Sequence, residues 1–213
     1  MLKSGTIFRF HGQGIQVKNQ IGKGKSAYSY MAEFNNQICV FKLFHDEKHS
    51  YYTFDRPKID KELMDHELLQ HTSIQIPSLI IANHDPDLII KEYIEGPTLA
   101  LLIANAQITP DHIREVAKMA KIAKSIGYNL DYFPTNFIAS EKGIYYIDYE
   151  LNPYSDTWNF ENWGIYYYFN NNGMRHFLTS GDASKLNEDL HHGIPIKKPF
   201  SKQVKEFLDV NAV

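Results

Sequence analysis

The chain has 213 residues, of which 43% are hydrophobic and 22% are charged, and its formal net charge at pH 7 is −3. This composition is that of an ordinary globular protein with enough apolar residues for one large domain or two small lobes. The weakly acidic balance lacks the basic excess of a protein that binds a phosphate backbone, so we expect no nucleic-acid partner.

The cysteine content and the apolar runs bear on the location of the protein. Cys39 is the only cysteine, so no intrachain disulfide can form, which is typical of a reducing compartment. Residues 1–10 contain charges and lack the apolar core of a secretory signal. The longest apolar stretch, 99–104, is too short to cross a bilayer. We therefore expect a cytoplasmic protein with no membrane span.

The first part of the chain is predicted to be rich in strands. Short segments with many aromatic and branched residues cover 6–10, 16–21, 27–34 and 37–44. Asn35-Asn36, between the last two segments, predicts a tight hairpin turn because asparagine tolerates positive φ.

A helix and a second hairpin are predicted next. Apolar residues one helical turn apart indicate a helix over 59–71, which ends before Pro77. The apolar runs 79–82 and 88–93 flank the polar residues 83–87, a pattern that predicts a hairpin.

After Gly96-Pro97 the pattern becomes mainly helical. A short helix is predicted over 98–106, and Thr109-Pro110-Asp111 is a start signal for a helix that reaches about Ser125. The remaining predictions are short strands at 136–139 and 144–147, helices from Trp158 onward, and a last helix at 201–210. We thus predict an α+β fold with two segments, a small antiparallel-sheet lobe with one helix over 1–95 and a reduced, mainly helical lobe over 96–213.

The turn Gly22-Lys23-Gly24-Lys25-Ser26 lies between two predicted strands. Its two glycines would let the backbone approach a phosphate closely and present free amides. A Walker A loop is excluded because Asn19 stands where that motif requires glycine, and because a strand rather than a helix follows. By itself the segment fits a plain glycine hairpin equally well.

Four polar residues follow the glycine turn in a fixed order. Lys42 lies on a predicted strand, where a half-buried lysine is costly unless it meets an anion such as a helix carboxylate or a phosphate. Asp131 and Asn136 stand five residues apart, and Asp148 follows twelve residues later at the end of an apolar strand.

In this order and spacing the residues resemble the protein-kinase-like superfamily over about 21–164. The resemblance implies a two-lobed kinase fold that binds ATP and Mg²⁺. Lys42 matches the strand lysine that holds the non-transferred phosphates. Glu67 matches the helix glutamate that orients this lysine, and its distance to Pro77 fits the family better than that of Glu62.

The resemblance also implies the other site residues. Asp131 would be the catalytic residue that accepts the proton of the attacking hydroxyl, while Asn136 and Asp148 would bind Mg²⁺. The nucleotide would contact the glycine turn, the strand lysine and a hinge whose backbone meets adenine, that is Gly22, Lys23, Gly24, Lys25, Ser26, Lys42, Glu92, Tyr93 and Ile94.

The chain departs from the family around the catalytic residues. Asn129 and Leu130 replace the usual His-Arg pair, so control by a phosphorylated loop is not expected. The sequence Ile-Asp-Tyr-Glu over 147–150 resembles the corresponding motif of aminoglycoside and choline kinases. Glu150 would then be either a neighbour of the metal or a solvated side chain. The short connection to Trp158 leaves no room for a full peptide-docking platform. Asn159 stands where the central helix of the family usually has an aspartate.

Three functions are compatible with these residues, and the first of them is preferred. The first is an atypical serine/threonine protein kinase, similar to compact kinases of the Rio type. The second is a small-molecule or glycolipid kinase similar to aminoglycoside, choline or lipopolysaccharide kinases, and the third is a pseudokinase that only binds nucleotide. The partners implied are ATP and a hydroxyl-bearing acceptor, on protein or on a small molecule. The roles of 48–61 and of the chain after Gly164 stay open.

Overall fold

The structure, a computed structural model, describes residues 1–24, 26–45 and 57–211. Within these residues the fold is α+β, as predicted, with a six-stranded antiparallel sheet, three two-stranded sheets and six α-helices. The contacts divide the chain into two compact units, Met1–Glu67 with Pro77–Ile94, and Leu68–Ile76 with Glu95–Val213. The second unit includes Leu68–Ile76, which the sequence analysis assigned to the first segment.

The six-stranded sheet is the centre of the first unit. Its strands, with the helix that follows β4, are β1 (Ile7–Phe10), β2 (Gln13–Lys23), β3 (Ala27–Phe34), β4 (Gln37–Phe44), α1 (Lys58–Gln70), β5 (Leu79–His84) and β6 (Asp87–Glu92). The order in the sheet is β1-β2-β3-β4-β6-β5. Both predicted hairpins are confirmed. Asn35 and Asn36, with φ of 49° and 61°, join β3 to β4, and Asp85-Pro86 joins β5 to β6.

The two faces of this sheet carry different side chains. One face holds a buried apolar cluster that includes Tyr30, Phe41 and Ile90. Side chains alternate along a strand, and residues paired across neighbouring strands point to the same face. The register pairs Val40 with Lys91, and Lys42 follows Val40 by two positions. The opposite face therefore carries two lysines.

The second unit is built mainly from helices. Its elements are α2 (Leu99–Ala104), α3 (Pro110–Ser125), β7 (Tyr128–Leu130), β8 (Phe137–Ser140), β9 (Gly143–Tyr146), β10 (Leu151–Pro153), α4 (Ile165–Phe169), α5 (Asn171–Ser180), β11 (Asn187–Asp189), β12 (Ile194–Pro195) and α6 (Ser201–Asn211). A π-helical turn, Phe160–Gly164, leads into α4, and a 3-10 turn, Pro134–Asn136, precedes β8.

Helix α3 forms where its start signal predicts it. The Thr109 hydroxyl accepts a hydrogen bond from the His112 amide, and the His112 ring accepts one from the Thr109 amide. This reciprocal cap satisfies two amides that a helix start leaves without partners. The buried face carries Ile113, Val116 and Ala120, and it packs into the core of the second unit.

The β8–β9 hairpin is hydrogen-bonded to another segment at each of its outer edges. The Ala139 amide donates to the Pro97 carbonyl at 2.9 Å, and the Tyr146 amide donates to the Gln75 carbonyl at 2.8 Å. Residues from two distant segments therefore hold the hairpin within the second unit.

Gly96 is required where its segment crosses β8. Its φ is 145°, and a Cβ at this position would lie 2.1 Å from the Ala139 carbonyl oxygen. Only glycine combines this conformation with so close an approach. Of the helices in the described residues, none is both long and apolar enough to cross a bilayer.

Candidate functional site

The residues predicted for nucleotide and metal binding fall into two groups. The glycine turn, Lys42 and the predicted hinge belong to the first unit, and Asp131, Asn136 and Asp148 belong to the second.

The glycine turn connects β2 to β3. Gly22 pairs with Ser29, and the Gly24 amide donates to the Ala27 carbonyl at 2.9 Å. A Cβ at either glycine would meet its nearest neighbour at 3.7 Å, an ordinary contact. The fold thus does not itself require glycine at these positions, and the Gly24 amide is already used within the turn. Lys25 lies outside the described residues.

The other two residues of the turn make local contacts. The Lys23 ammonium lies 5.3 Å from the centre of the Tyr28 ring, and the Ser26 carbonyl accepts a hydrogen bond from the His45 amide at 3.0 Å. The predicted strand after the turn is confirmed as β3. The exclusion of a Walker A loop therefore holds.

Lys42 forms a buried ion pair with helix α1. Its ammonium lies 2.5 Å from Oε2 of Glu62, and the two side chains are 11% and 7% exposed. The prediction of Glu67 as the partner is wrong, since Glu67 is exposed on α1. Five residues correspond to a rotation of about 140° around a helix, so these two glutamates cannot share a face.

A second lysine, which the sequence analysis missed, lies beside the same glutamate. Lys91 is 5% exposed, and its ammonium is 4.0 Å from Oε1 of Glu62. Burial and the charge of Lys91 lower the pKa of His66, although the charge of Glu62 opposes this. The signal was available, because Lys91 follows the apolar run 88–90 on its strand, just as Lys42 lies among the apolar residues of its own strand.

The predicted hinge begins at the end of β6. Oε2 of Glu92 accepts hydrogen bonds from the amide and hydroxyl of Ser78, at 3.1 and 3.0 Å. The Glu92 side chain is thus used within the sheet. Tyr93 is 36% exposed and Ile94 is buried.

Asp131 and Asn136 lie together in a tight turn after β7. The Asn136 side-chain amide donates to the Asp131 carbonyl at 3.4 Å. Oδ1 of Asp131 accepts from the Phe133 amide at 3.0 Å, which fixes the orientation of the carboxylate. The predicted five-residue spacing therefore brings these two side chains into one turn.

Tyr146 connects the Asp131 turn to the segment after β9. Its hydroxyl accepts a hydrogen bond from the Asp131 amide at 3.2 Å and donates one to the Glu150 carbonyl at 2.7 Å. Burial raises the pKa of Tyr146 well above its usual value, and the charges of Asp148, Asp131 and Glu150 raise it further. All three carboxylates thus act on one buried phenol, which the sequence analysis did not identify.

Asp148 and Glu150 follow β9 and are both half-buried. Oε1 of Glu150 accepts from the Asn152 side chain at 3.3 Å, so Glu150 is more than a solvated side chain. With Asn136 they supply hard oxygen donors of the kind that Mg²⁺ prefers. In the described ranges, no group of three or more His, Cys, Asp or Glu side chains is arranged to hold a metal ion.

The Asp131 turn is anchored by aromatic packing. The centre of the Tyr132 ring lies 5.5 Å from that of the Phe160 ring, and the backbone carbonyl of Tyr132 accepts a hydrogen bond from the Tyr168 hydroxyl at 3.2 Å. A Cβ at Gly164 would lie 2.5 Å from the Tyr132 Cβ, so this contact requires glycine. Asn159 caps the π-helical turn.

The segment after Asp148 is held against β7. Strand β10 pairs with β7 in antiparallel register, and the Asn129 side-chain amide donates to the Ser155 carbonyl at 3.0 Å. The short connection predicted from the sequence is therefore tied to the strand that leads into Asp131.

Comparison of the chain with models of known protein families gives no match, and comparison with curated proteins gives none either.

Proposed function

We propose that the chain is a two-lobed, protein-kinase-like phosphotransferase, which binds ATP with Mg²⁺ and transfers the terminal phosphate to a hydroxyl. The observation that carries this proposal is the buried pair of Lys42 and Glu62, joined at 2.5 Å. A buried ion pair adds little stability, because desolvation of both charges offsets their attraction. A lysine held in this way is better explained by an anionic ligand, for which phosphoryl transfer is the matching chemistry.

The roles of the residues follow from their chemistry. Lys42, oriented by Glu62 in place of Glu67, would hold the non-transferred phosphates, and the turn at Gly22 and Gly24 would face them. Asp131 would orient the acceptor hydroxyl and accept its proton.

Asn136 and Asp148 would hold Mg²⁺ together with the phosphate oxygens, with Glu150 close by. Mg²⁺ commonly takes only one or two carboxylates from the protein and the rest of its ligands from phosphates and water. Bound in this way, the ion would neutralise charge on the phosphates.

The acceptor favoured by the site is a small molecule, such as a sugar, an aminoglycoside or a lipid headgroup. The segment after Asp148 forms β10 within three residues, and β10 pairs with β7. These residues are therefore part of the fold and do not form a docking segment for a peptide. A protein acceptor, the first preference from the sequence, needs a longer docking segment at this point. A pseudokinase would bind ATP without turnover.

Nucleotide binding is tested first by calorimetric titration with Mg·ATP. Lys42→Met should raise the Kd at least about tenfold, since one charge-assisted contact to phosphate is lost. Lys18→Met is the matched control, because Lys18 pairs with Glu33 on the same sheet but is one-third exposed. Equal affinities for the two variants, or no binding by the wild type, would contradict the proposal.

Turnover is tested with ATP labelled on its terminal phosphate and with protein, aminoglycoside and lipid acceptors. Asp131→Asn should lower the rate by about 10² to 10⁴ while ATP binding is kept. Full turnover by this variant would remove the assigned mechanism. Binding without turnover by the wild type on every acceptor would favour the pseudokinase.

A further inference from the structure

Glu62 lies between two buried lysines on one face of the sheet. Its Oε2 is 2.5 Å from the Lys42 ammonium, and its Oε1 is 4.0 Å from the Lys91 ammonium. Oε1 is buried and makes no hydrogen bond to any described residue. One carboxylate is thus close to two cations but hydrogen-bonded to only one of them.

We propose that Lys91 is a positioning residue, which replaces Lys42 as the ion-pair partner of Glu62 when Lys42 turns towards the phosphates of a nucleotide. The inference rests on the proposed function, because it assigns Lys42 to phosphate. A buried carboxylate that loses its cation is strongly destabilised. Without a second cation, the cost of leaving Glu62 unpaired would oppose the movement of Lys42 towards the phosphates. Lys91 needs to move by only about 1 Å to reach hydrogen-bond distance from Oε1.

The surroundings of α1 support this assignment. The charge of Lys91 already acts on the buried helix face, since it contributes to the lowered pKa of His66 after burial. Lys91 is also fixed in place by its strand, where it pairs with Val40 in the middle of the β4–β6 ladder. The strand therefore fixes the backbone of Lys91 beside Glu62, so only the end of its side chain has to move.

The first test needs no nucleotide. Lys42→Met, Lys91→Met and the double variant are compared by urea unfolding. Each single variant leaves one lysine to neutralise Glu62, whereas the double variant leaves none. Each substitution raises the unfolding equilibrium constant by some factor. The factor for the double variant should therefore exceed the product of the two single-variant factors by about tenfold or more. In a Glu62→Gln background this excess should vanish. Additive effects would overturn the proposal.

The second test measures the Kd of Mg·ATP. Lys91→Met should raise it about tenfold, and Lys91→Arg, which keeps the charge, should restore it. Glu62→Gln should weaken binding in the wild type, because Lys42 loses its orientation. The same change should strengthen binding in Lys91→Met, because Lys42 is released. A residue that only stabilises the fold would not produce this reversal of sign.

The outcomes separate the two proposals. An unchanged Kd in Lys91→Met, with ATP bound by the wild type, overturns the role of Lys91 and leaves the proposed function standing. If the wild type binds no ATP, the proposed function and the positioning role fall together.

Discussion

Replacing Tyr146 by phenylalanine isolates the contact that joins the Asp131 turn to the segment after β9. The side chain is fully buried, and its hydroxyl makes hydrogen bonds of 3.2 Å to the Asp131 amide and 2.7 Å to the Glu150 carbonyl. The ring stays in place, so the change removes these two bonds without creating a large cavity. Each lost bond costs about 1 kcal/mol, more where a buried group is left without a partner. We expect the free energy of unfolding to fall by about 2 to 3 kcal/mol.

Urea unfolding followed by tryptophan fluorescence measures this loss. Tyr145→Phe is the matched control, since Tyr145 is the preceding residue on the same strand and is only half-buried. Its free energy of unfolding should change by less than about 0.5 kcal/mol. If Tyr146→Phe costs no more than Tyr145→Phe, the hydroxyl does not hold the two segments together, and the account of this turn is refuted.

Three further predictions follow from close packing and burial. Gly96→Ala should lower the free energy of unfolding by more than about 3 kcal/mol, measured by thermal or urea unfolding. Gly127→Ala is the control, because Gly127 also has positive φ but has no atom near its Cβ position. Burial raises the pKa of the Cys39 thiol to about 11, so a thiol reagent at pH 8 should react slowly with the folded protein and rapidly in urea. Burial also raises the pKa values of Tyr146 and Tyr168 in the folded state. Above about pH 10 the unfolded state therefore loses phenol protons that the folded state still keeps. The free energy of unfolding should thus decline as pH rises above about 10, and a constant value up to pH 12 would contradict this burial.

The elements that could be predicted from sequence carry strong local signals. Strands β3 and β4 were predicted with their observed bounds, because two runs of strand-forming residues flank an Asn-Asn turn. Helix α3 was predicted from its Thr-Pro-Asp start. By contrast, β7 and β10 have three residues each, too few for a recognisable alternation, and they form only because they pair with each other.

The candidate site shows the same division. The spacing of Asp131 and Asn136 was readable because both belong to one local turn. The choice between Glu62 and Glu67 was not, since it depends on how α1 is rotated about its axis against the sheet. Tyr146 was missed because its role comes from the folding of three separate segments around one hydroxyl, and no motif in the sequence records that.

The hydrogen bonds at the outer edges of the β8–β9 hairpin also bear on the behaviour of the isolated protein. An open strand edge is a template on which another chain can add a strand and begin to aggregate. The carbonyls of Pro97 and Gln75 already occupy the amides of Ala139 and Tyr146 on the two sides. The hairpin that connects Asn136 to Asp148 is thereby protected at these two positions against intermolecular strand addition.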